Sequence, residues 1–310
     1  MTDSDGRPAG PETTRIAVDL LGGDDAPAVV VDGALLALDA DPDIQLHLVG
    51  PREVADQVLD RCPPVDRRRC TVAPVPAAVG MADAPSRAIR PDTTVRAGMA
   101  AVAEGRAHAL VSAGMSGAVV TAAALGLGRL PGVRRPALAA LLPAQAGPVV
   151  LLDVGASPEP SASVLVQHAL LGAGYATRVL GLPVPRIGLL TIGAEPGKGD
   201  RARRAAEEAL RAGQPGYVGP VEGGDVPRGG RADVVVTDGF TGNVLLKGIE
   251  GAFALAGGVA PPHRVPRAAA LLGVAGTVVV CHGAATGADL ASGIALATRL
   301  HRNNFVEVRS

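Results

Sequence analysis

The stretch Asp233-Val234-Val235-Val236-Thr237-Asp238-Gly239-Phe240-Thr241-Gly242-Asn243 decides the fold. A run of β-branched residues stops at a turn of small residues, and apolar positions at three- and four-residue spacing follow from Asn243 to Leu255. That pattern predicts a buried strand delivered directly into a helix. The same passage from strand through Gly/Ser/Thr/Asp loop to helix recurs at residues 111–117, 153–157 and 192–200. Each junction is a candidate anion cradle, because small residues let backbone amides approach a ligand and the first helical turn leaves its N–H donors unpaired at the positive end of the dipole. Residues 237–243 also gather an acid, a hydroxyl and an amide, with Lys247 following on the face of Asn243.

Working outward, apolar runs at residues 15–20, 44–49, 109–112, 137–142, 149–153, 187–192 and 277–281 predict further strands buried on both faces. Helical spacing follows at residues 29–38, 52–59, 93–104, 117–127, 161–180, 201–212 and 288–302. Strands alternating with helices imply βαβ units, hence an α/β fold with a mainly parallel sheet and ligands at the carboxyl ends of its strands. Residues 128–148, with four prolines, are a candidate passage between subdomains, and residues 213–230 read as a loop-rich excursion. Residues 14–310 are read as a single domain with an inserted lobe, behind an unstructured tail at residues 1–13.

Composition narrows the function classes. The chain has 310 residues, 47% of them hydrophobic and 19% charged, ample for a buried core. A net charge of −1, with three Phe, two Tyr and no Trp, argues against a nucleic-acid surface. Cys62, Cys70 and Cys281 form no close-spaced pair and the six histidines are scattered, so no metal site is expected. The uncharged run near residues 107–128 is broken by Ser112, Ser116, Thr121 and glycines, and reads as strand, turn and buried helix, not as a membrane span. The tail lacks the basic start and apolar stretch of a signal peptide, which points to a cytoplasmic protein.

Several ordered blocks are familiar: Ile16-Ala17-Val18-Asp19 with Gly22-Gly23-Asp24; Val111-Ser112-Ala113-Gly114 with Gly117-Ala118; Arg135-Pro136-Ala137; Leu152-Asp153-Val154-Gly155-Ala156; Lys198-Gly199; Asp238 to Asn243; and Leu271-Leu272-Gly273-Val274. In these the chain resembles the phosphate acyltransferases of bacterial phospholipid synthesis, the PlsX family, from Arg15 to the C-terminus. The resemblance implies a three-layer α/β/α fold, similar to isocitrate and isopropylmalate dehydrogenases and to phosphotransacetylases, working as a homodimer without a cofactor. It implies transfer of a fatty acyl group from the thioester of acyl carrier protein to inorganic phosphate, giving an acyl phosphate. A dehydrogenase reading lacks support, since no glycine loop shows GxGxxG with an acid about twenty residues on.

Phosphate is an adequate nucleophile and thiolate a good leaving group, so the reaction asks mainly for orientation, worth up to roughly 7–11 kcal/mol, and for placed donors, each worth about 3–4 kcal/mol. Lys198, in a Gly-flanked turn and one of only two lysines, is the expected phosphate-binding cation. Asp238, Thr241, Gly242 and Asn243 are expected to orient phosphate or the thioester carbonyl, with Asp238 a candidate proton acceptor; locally, Asp238 also fits an Asx turn and Thr241 a helix cap. Ser112, Gly114, Ser116 and Gly117 make a second candidate cradle, and Gly22, Gly23 and Asp24 a third, with turn geometry and capping as the competing roles. Arg129, Arg134 and Arg135 are candidates for contacting the acidic carrier. His282 could serve as an acid or base or be structural.

Departures from the family pattern fall at Met115 and Ser116, Asp25, Ser157, and Ala284-Ala285, where polar family residues are replaced. They leave a second reading open, a carrier-binding or regulatory paralogue with weakened turnover on the same scaffold. Residues 257–262, Gly-Gly-Val-Ala-Pro-Pro, stand where the family has a long amphipathic hairpin. Adjacent prolines forbid a continuous helix there, so weak or no membrane association is expected.

Overall fold

The computed structural model describes residues 13–80, 83–195, 197–256 and 265–305. The expectations for residues 1–12 and for the segment 257–262 lie outside the described residues. The chain divides into two compact units, Met1–Leu127 with Gly276–Ser310, and Gly128–Ala275.

The first unit runs β1 (Thr14–Asp19), α1 (Ala28–Ala40), β2 (Ile44–Gly50), α2 (Arg52–Arg61), α3 (Pro64–Arg67), β3 (Cys70–Pro74), α4 (Thr94–Ala103), β4 (Ala109–Ser112) and α5 (Ser116–Gly126). The second follows with β5 (Ala137–Leu142), β6 (Val149–Leu152), α6 (Ala162–Leu180), β7 (Ile187–Leu190), α7 (Arg201–Gly213), β8 (Tyr217–Val221), α8 (Asp225–Arg228), β9 (Val234–Val236), α9 (Gly239–Leu255) and β10 (Ala268–Leu272). The chain then returns to the first unit with β11 (Thr277–Cys281) and α10 (Gly287–Arg302).

In the first unit the strands lie in the order β3-β2-β1-β4-β11, every pair parallel. Strand order reverses direction between β1 and β4, so the loops after these two strands part to either side of a topological switch point, the usual ligand position in such sheets. Burial explains the sequence: all four residues of β4 and all five of β11 are buried, as a sheet covered on both faces requires. Helices α1 and α10 approach closely because Gly33 has no side chain; a Cβ there would lie 2.4 Å from the Cβ of Leu290. Thr286 and Asp289 close a reciprocal capping box on α10.

In the second unit the order is β10-β5-β6-β9-β7-β8. β6, β9, β7 and β8 are parallel, while β5 runs antiparallel to both β10 and β6. Helix α6 stops at Gly181, whose φ of 69° is the left-handed value that favours glycine at this position.

Three strands escaped the periodicity reading: β3, β8 and β10. Residues 213–230 are accordingly corrected from a loop-rich excursion to a segment holding β8 and α8. Helix α9 begins at Gly239, not at Asn243, so Thr241 and Gly242 are helical residues and not loop residues. Residues 107–128 resolve into β4, a turn and α5, and no helix among the described residues is long and apolar enough to cross a membrane.

Candidate functional site

In the first unit, the loops after β1, β4 and β11 meet at the carboxyl ends of three neighbouring strands. Asp19 closes β1 with a buried carboxylate; its Oδ2 accepts from Ser112 Oγ at 2.7 Å and its Oδ1 from the Leu21 amide at 3.1 Å. Ser112 Oγ also accepts from the Gly114 amide at 3.0 Å. Burial raises the Asp19 pKa above its ordinary value, against the pull of these hydrogen bonds. Gly22 fits because a Cβ would meet the Gly114 nitrogen at 2.7 Å, and Asp24 joins this loop to the next through its amide and the Gly283 carbonyl at 2.8 Å. Ser112, expected as a ligand contact, is thus a structural bridge between β1 and β4. Gly114, Ser116 and Gly117 lead into α5, where Met115 occupies the N-cap and no side chain caps the helix. The first-turn amides of α5 therefore keep their anion-binding capacity.

The second unit treats its three junctions differently. Asp153 is fully buried and forms its own anion nest: Oδ1 accepts from the amides of Leu138 (2.9 Å), Gly155 (3.1 Å) and Ala156 (3.0 Å), and Oδ2 from Ser157 (2.5 Å). Asp200 caps α7 by accepting from the Arg203 amide at 2.8 Å. Asp238 heads α9, accepting from the Thr241 amide at 2.7 Å. Each of these cradles already holds a carboxylate of the chain.

The stretch expected to be the best cradle is a packed wedge. Gly242 faces the Asp153 carbonyl so closely that a Cβ would lie 1.9 Å from its oxygen, and the Gly239 amide donates to the Ser157 carbonyl at 2.8 Å. The side-chain amide of Asn243 donates to the Val154 carbonyl at 3.0 Å. Of the alternatives the sequence left open, the helix cap is Asp238 and not Thr241.

Arg203 was missed by the sequence reading. Its side chain is 11% exposed and bonds in five directions: Nε to the Leu190 carbonyl at 2.8 Å, Nη1 to Asp200, and Nη2 to Asp238, to Thr237 Oγ1 at 3.0 Å and to Thr241 Oγ1 at 3.5 Å. Burial pushes the Asp238 carboxyl up, but the Thr241 hydrogen bonds and the Arg203 guanidinium outweigh it and hold the pKa below the ordinary value. A carboxylate so held is a weaker base than a free one. The helical phase from Asp200 was the available signal, since the third residue after an N-cap turns back toward it.

Lys198 is exposed in the turn between β7 and α7, its stem lying over Gly193: a Cβ there would meet the Lys198 Cγ at 3.3 Å. Thr191 Oγ1 accepts from the Gly193 amide at 3.3 Å and shapes the start of that turn. All three cysteines are free thiols, and burial pushes Cys70 and Cys281 up to about 12, which makes them inert as nucleophiles. His282 Nδ1 accepts from the Ala284 amide at 3.1 Å, anchoring the turn after β11. Among the described residues no group of three or more His, Cys, Asp or Glu could hold a metal ion.

Comparison with known proteins adds the chemistry. The family model described as "Fatty acid synthesis protein" matches residues 14–261. A phosphate acyltransferase of Gluconacetobacter diazotrophicus is 44% identical, over 83% of this chain and 69% of its own length. That of Dinoroseobacter shibae is 38% identical, over 95% of this chain and 85% of its own. The chain belongs to the phosphate acyltransferase (PlsX) family. Membership makes it an acyltransferase, acting in acyl transfer to phosphate in lipid synthesis. The phosphate acyltransferase fold is shared with a phosphotransacetylase from Streptococcus pyogenes, TM-score 0.66 at 15% identity over 95% of this chain and 94% of that one. A branched-chain phosphotransacylase from Enterococcus faecalis gives 0.64 at 15% identity over 93% and 99%.

Proposed function

We propose that this acyltransferase takes a fatty acyl group from the thioester of acyl carrier protein and transfers it to inorganic phosphate, yielding an acyl phosphate for phospholipid synthesis in the cytoplasm. A phosphate oxygen attacks the thioester carbonyl; the carbon–sulfur bond breaks and the carrier leaves as a thiolate, which takes a proton from solvent. No protein nucleophile is needed, and the inert thiols offer none.

The observation that supports this best is the contrast among the four junctions. Three carry their own carboxylate, Asp153, Asp200 and Asp238, whereas the head of α5 carries none. In the reading proposed, the Ser116 and Gly117 amides of the first unit, with Gly114 and the Gly22-Gly23-Asp24 turn behind them, offer donors to anionic oxygen; Lys198, within the second unit, is read separately as a phosphate-binding cation. Asp238, Thr241 and Gly242 shape the head of α9 and Asn243 fixes the Val154 carbonyl, which makes their contribution positional. Exposed Arg129, Arg134 and Arg135 present a basic face suited to an acidic carrier. A homodimer is part of the proposal, as is weak or absent membrane contact, to be checked by vesicle flotation, where strong co-flotation refutes it.

The decisive assay supplies acyl carrier protein thioesters and phosphate, then follows thiol release and hydroxylamine-trappable acyl phosphate. Phosphate-dependent release of both supports the proposal. Release without phosphate dependence means a thioesterase, and carrier binding without release means the regulatory reading.

A further inference from the structure

We propose that Arg203 is a positioning residue for the phosphate-binding lysine, clamping both ends of the loop that carries Lys198 against the head of α9. The proposal rests on the reading of Lys198 given above, and every contact it uses lies within the second unit.

The loop in question begins after Leu190, the last residue of β7, and ends at Asp200, the N-cap of α7. One guanidinium holds both ends, through the Leu190 carbonyl at 2.8 Å and through Asp200. The same group then crosses to β9 and α9, bonding Thr237, Asp238 and Thr241. The two feet of this loop, at Leu190 and Asp200, and its neighbour on α9 therefore share one side chain. Arg204 adds a further hold, donating to the Gly199 carbonyl at 2.5 Å, one residue from Lys198. Glycines at 193, 197 and 199 would otherwise leave the span loose.

The fork geometry matters. Arginine presents its N–H donors in a rigid plane, and here its three nitrogens reach a carbonyl, two carboxylates and two hydroxyls, with Nη2 shared among Asp238, Thr237 and Thr241. Lysine has the charge but one nitrogen, so it can satisfy Asp238 or Asp200 without spanning the set. The same guanidinium pairs with both Asp200 and Asp238, so one buried cation faces two carboxylates. Asp153 is the next carboxylate inward, close enough that a Cβ on Gly239 would meet its Oδ2 at 2.9 Å.

The test compares Arg203→Met and Arg203→Lys with wild type, and uses Arg211→Gln as a control that removes the ion pair between exposed Arg211 and Glu207, further along α7. Kinetics at varied phosphate should show the phosphate KM raised roughly tenfold or more in Arg203→Met, with the KM for the carrier thioester unchanged. Arg203→Lys should recover part of the loss and the control should match wild type. Amide hydrogen exchange should accelerate across residues 191–199 in Arg203→Met while the amides of β6 and β9 stay protected. The acid limb of the phosphate kcat/KM profile should move to higher pH, because Asp238 loses the guanidinium that lowers its pKa while its burial remains. Unchanged exchange in residues 191–199, or both KM values shifting together with the melting temperature, overturns the clamp. If wild type makes no acyl phosphate, the functional reading fails, and the exchange comparison still decides whether Arg203 holds the loop.

Discussion

Asp153 is a carboxylate on which four backbone amides converge. Removing it leaves those donors buried and unpaired, so Asp153→Ala should lower unfolding free energy by about 3 kcal/mol or more in urea titration; a loss under about 1 kcal/mol would refute the nest. Lys198 stands at the other extreme. Being exposed, Lys198→Ala should leave stability within about 0.5 kcal/mol yet abolish acyl phosphate trapping; full activity would remove it from the proposed chemistry. Asp19 makes a prediction about pH. Its folded pKa lies above the ordinary 3.8, so its contribution is fully present below that value and is lost as pH rises through the folded pKa. Wild type measured against Asp19→Asn should therefore lose relative stability from pH 3.8 upward and then level off; a relative gain over that range would contradict the burial argument. At this scale, residue type was legible and residue employment was not. Ser112 and Asn243 look like ligand contacts in sequence, but partners 93 and 89 positions away engage them. Arg203 hid among Arg201 and Arg204, because only the fold says which of three nearby arginines turns inward.

Elements were easier to read, for a physical reason. Strands such as β4 and β6 are buried throughout, so they appear as unbroken apolar runs. β3 and β8 are edge strands, with solvent-facing residues that break the run. β10, by contrast, is buried at every position and went unread as Ala268-Ala269-Ala270-Leu271-Leu272, because alanine speaks equally for helix and strand burial. The start of α9 was misplaced because Gly239 and Gly242 are poor helix formers, retained here where the backbone of Asp153 and Ser157 leaves no space for a Cβ. The head of α5 supports an element-scale prediction. Met115→Asn and Met115→Asp should each cap the helix and raise stability by about 1 kcal/mol. Only the aspartate should raise the phosphate KM, since it would set a carboxylate at the one of the four helix heads that carries none of its own; equal KM values in the two variants would place the anion elsewhere.

Across the whole molecule, the alternation of strand and helix carried the α/β class, and the antiparallel insertion of β5 did not show because a strand buried on both faces has the same composition whichever way it runs. What the single chain leaves uncovered bears on assembly. Helix α9 exposes Phe240 (69%), Val244 (57%) and Leu255 (90%), and at roughly 100° per residue these fall within about 60° of one another on the helix surface. Gly248 and Gly251 lie on the same stripe, and among the described residues no atom lies within 4 Å of a Cβ built on either. A stripe of that kind is an aggregation liability in a monomer and an asset in a contact between copies. The proposed homodimer should therefore appear as twice the chain mass in light scattering coupled to size exclusion. Val244→Glu and Leu255→Glu, in different turns of the stripe, should each weaken association by about tenfold, or roughly 1.4 kcal/mol, while leaving the urea midpoint of the diluted protein unchanged. A monomer at every concentration would refute the dimer, and a dimer indifferent to both charges would place its interface on another face.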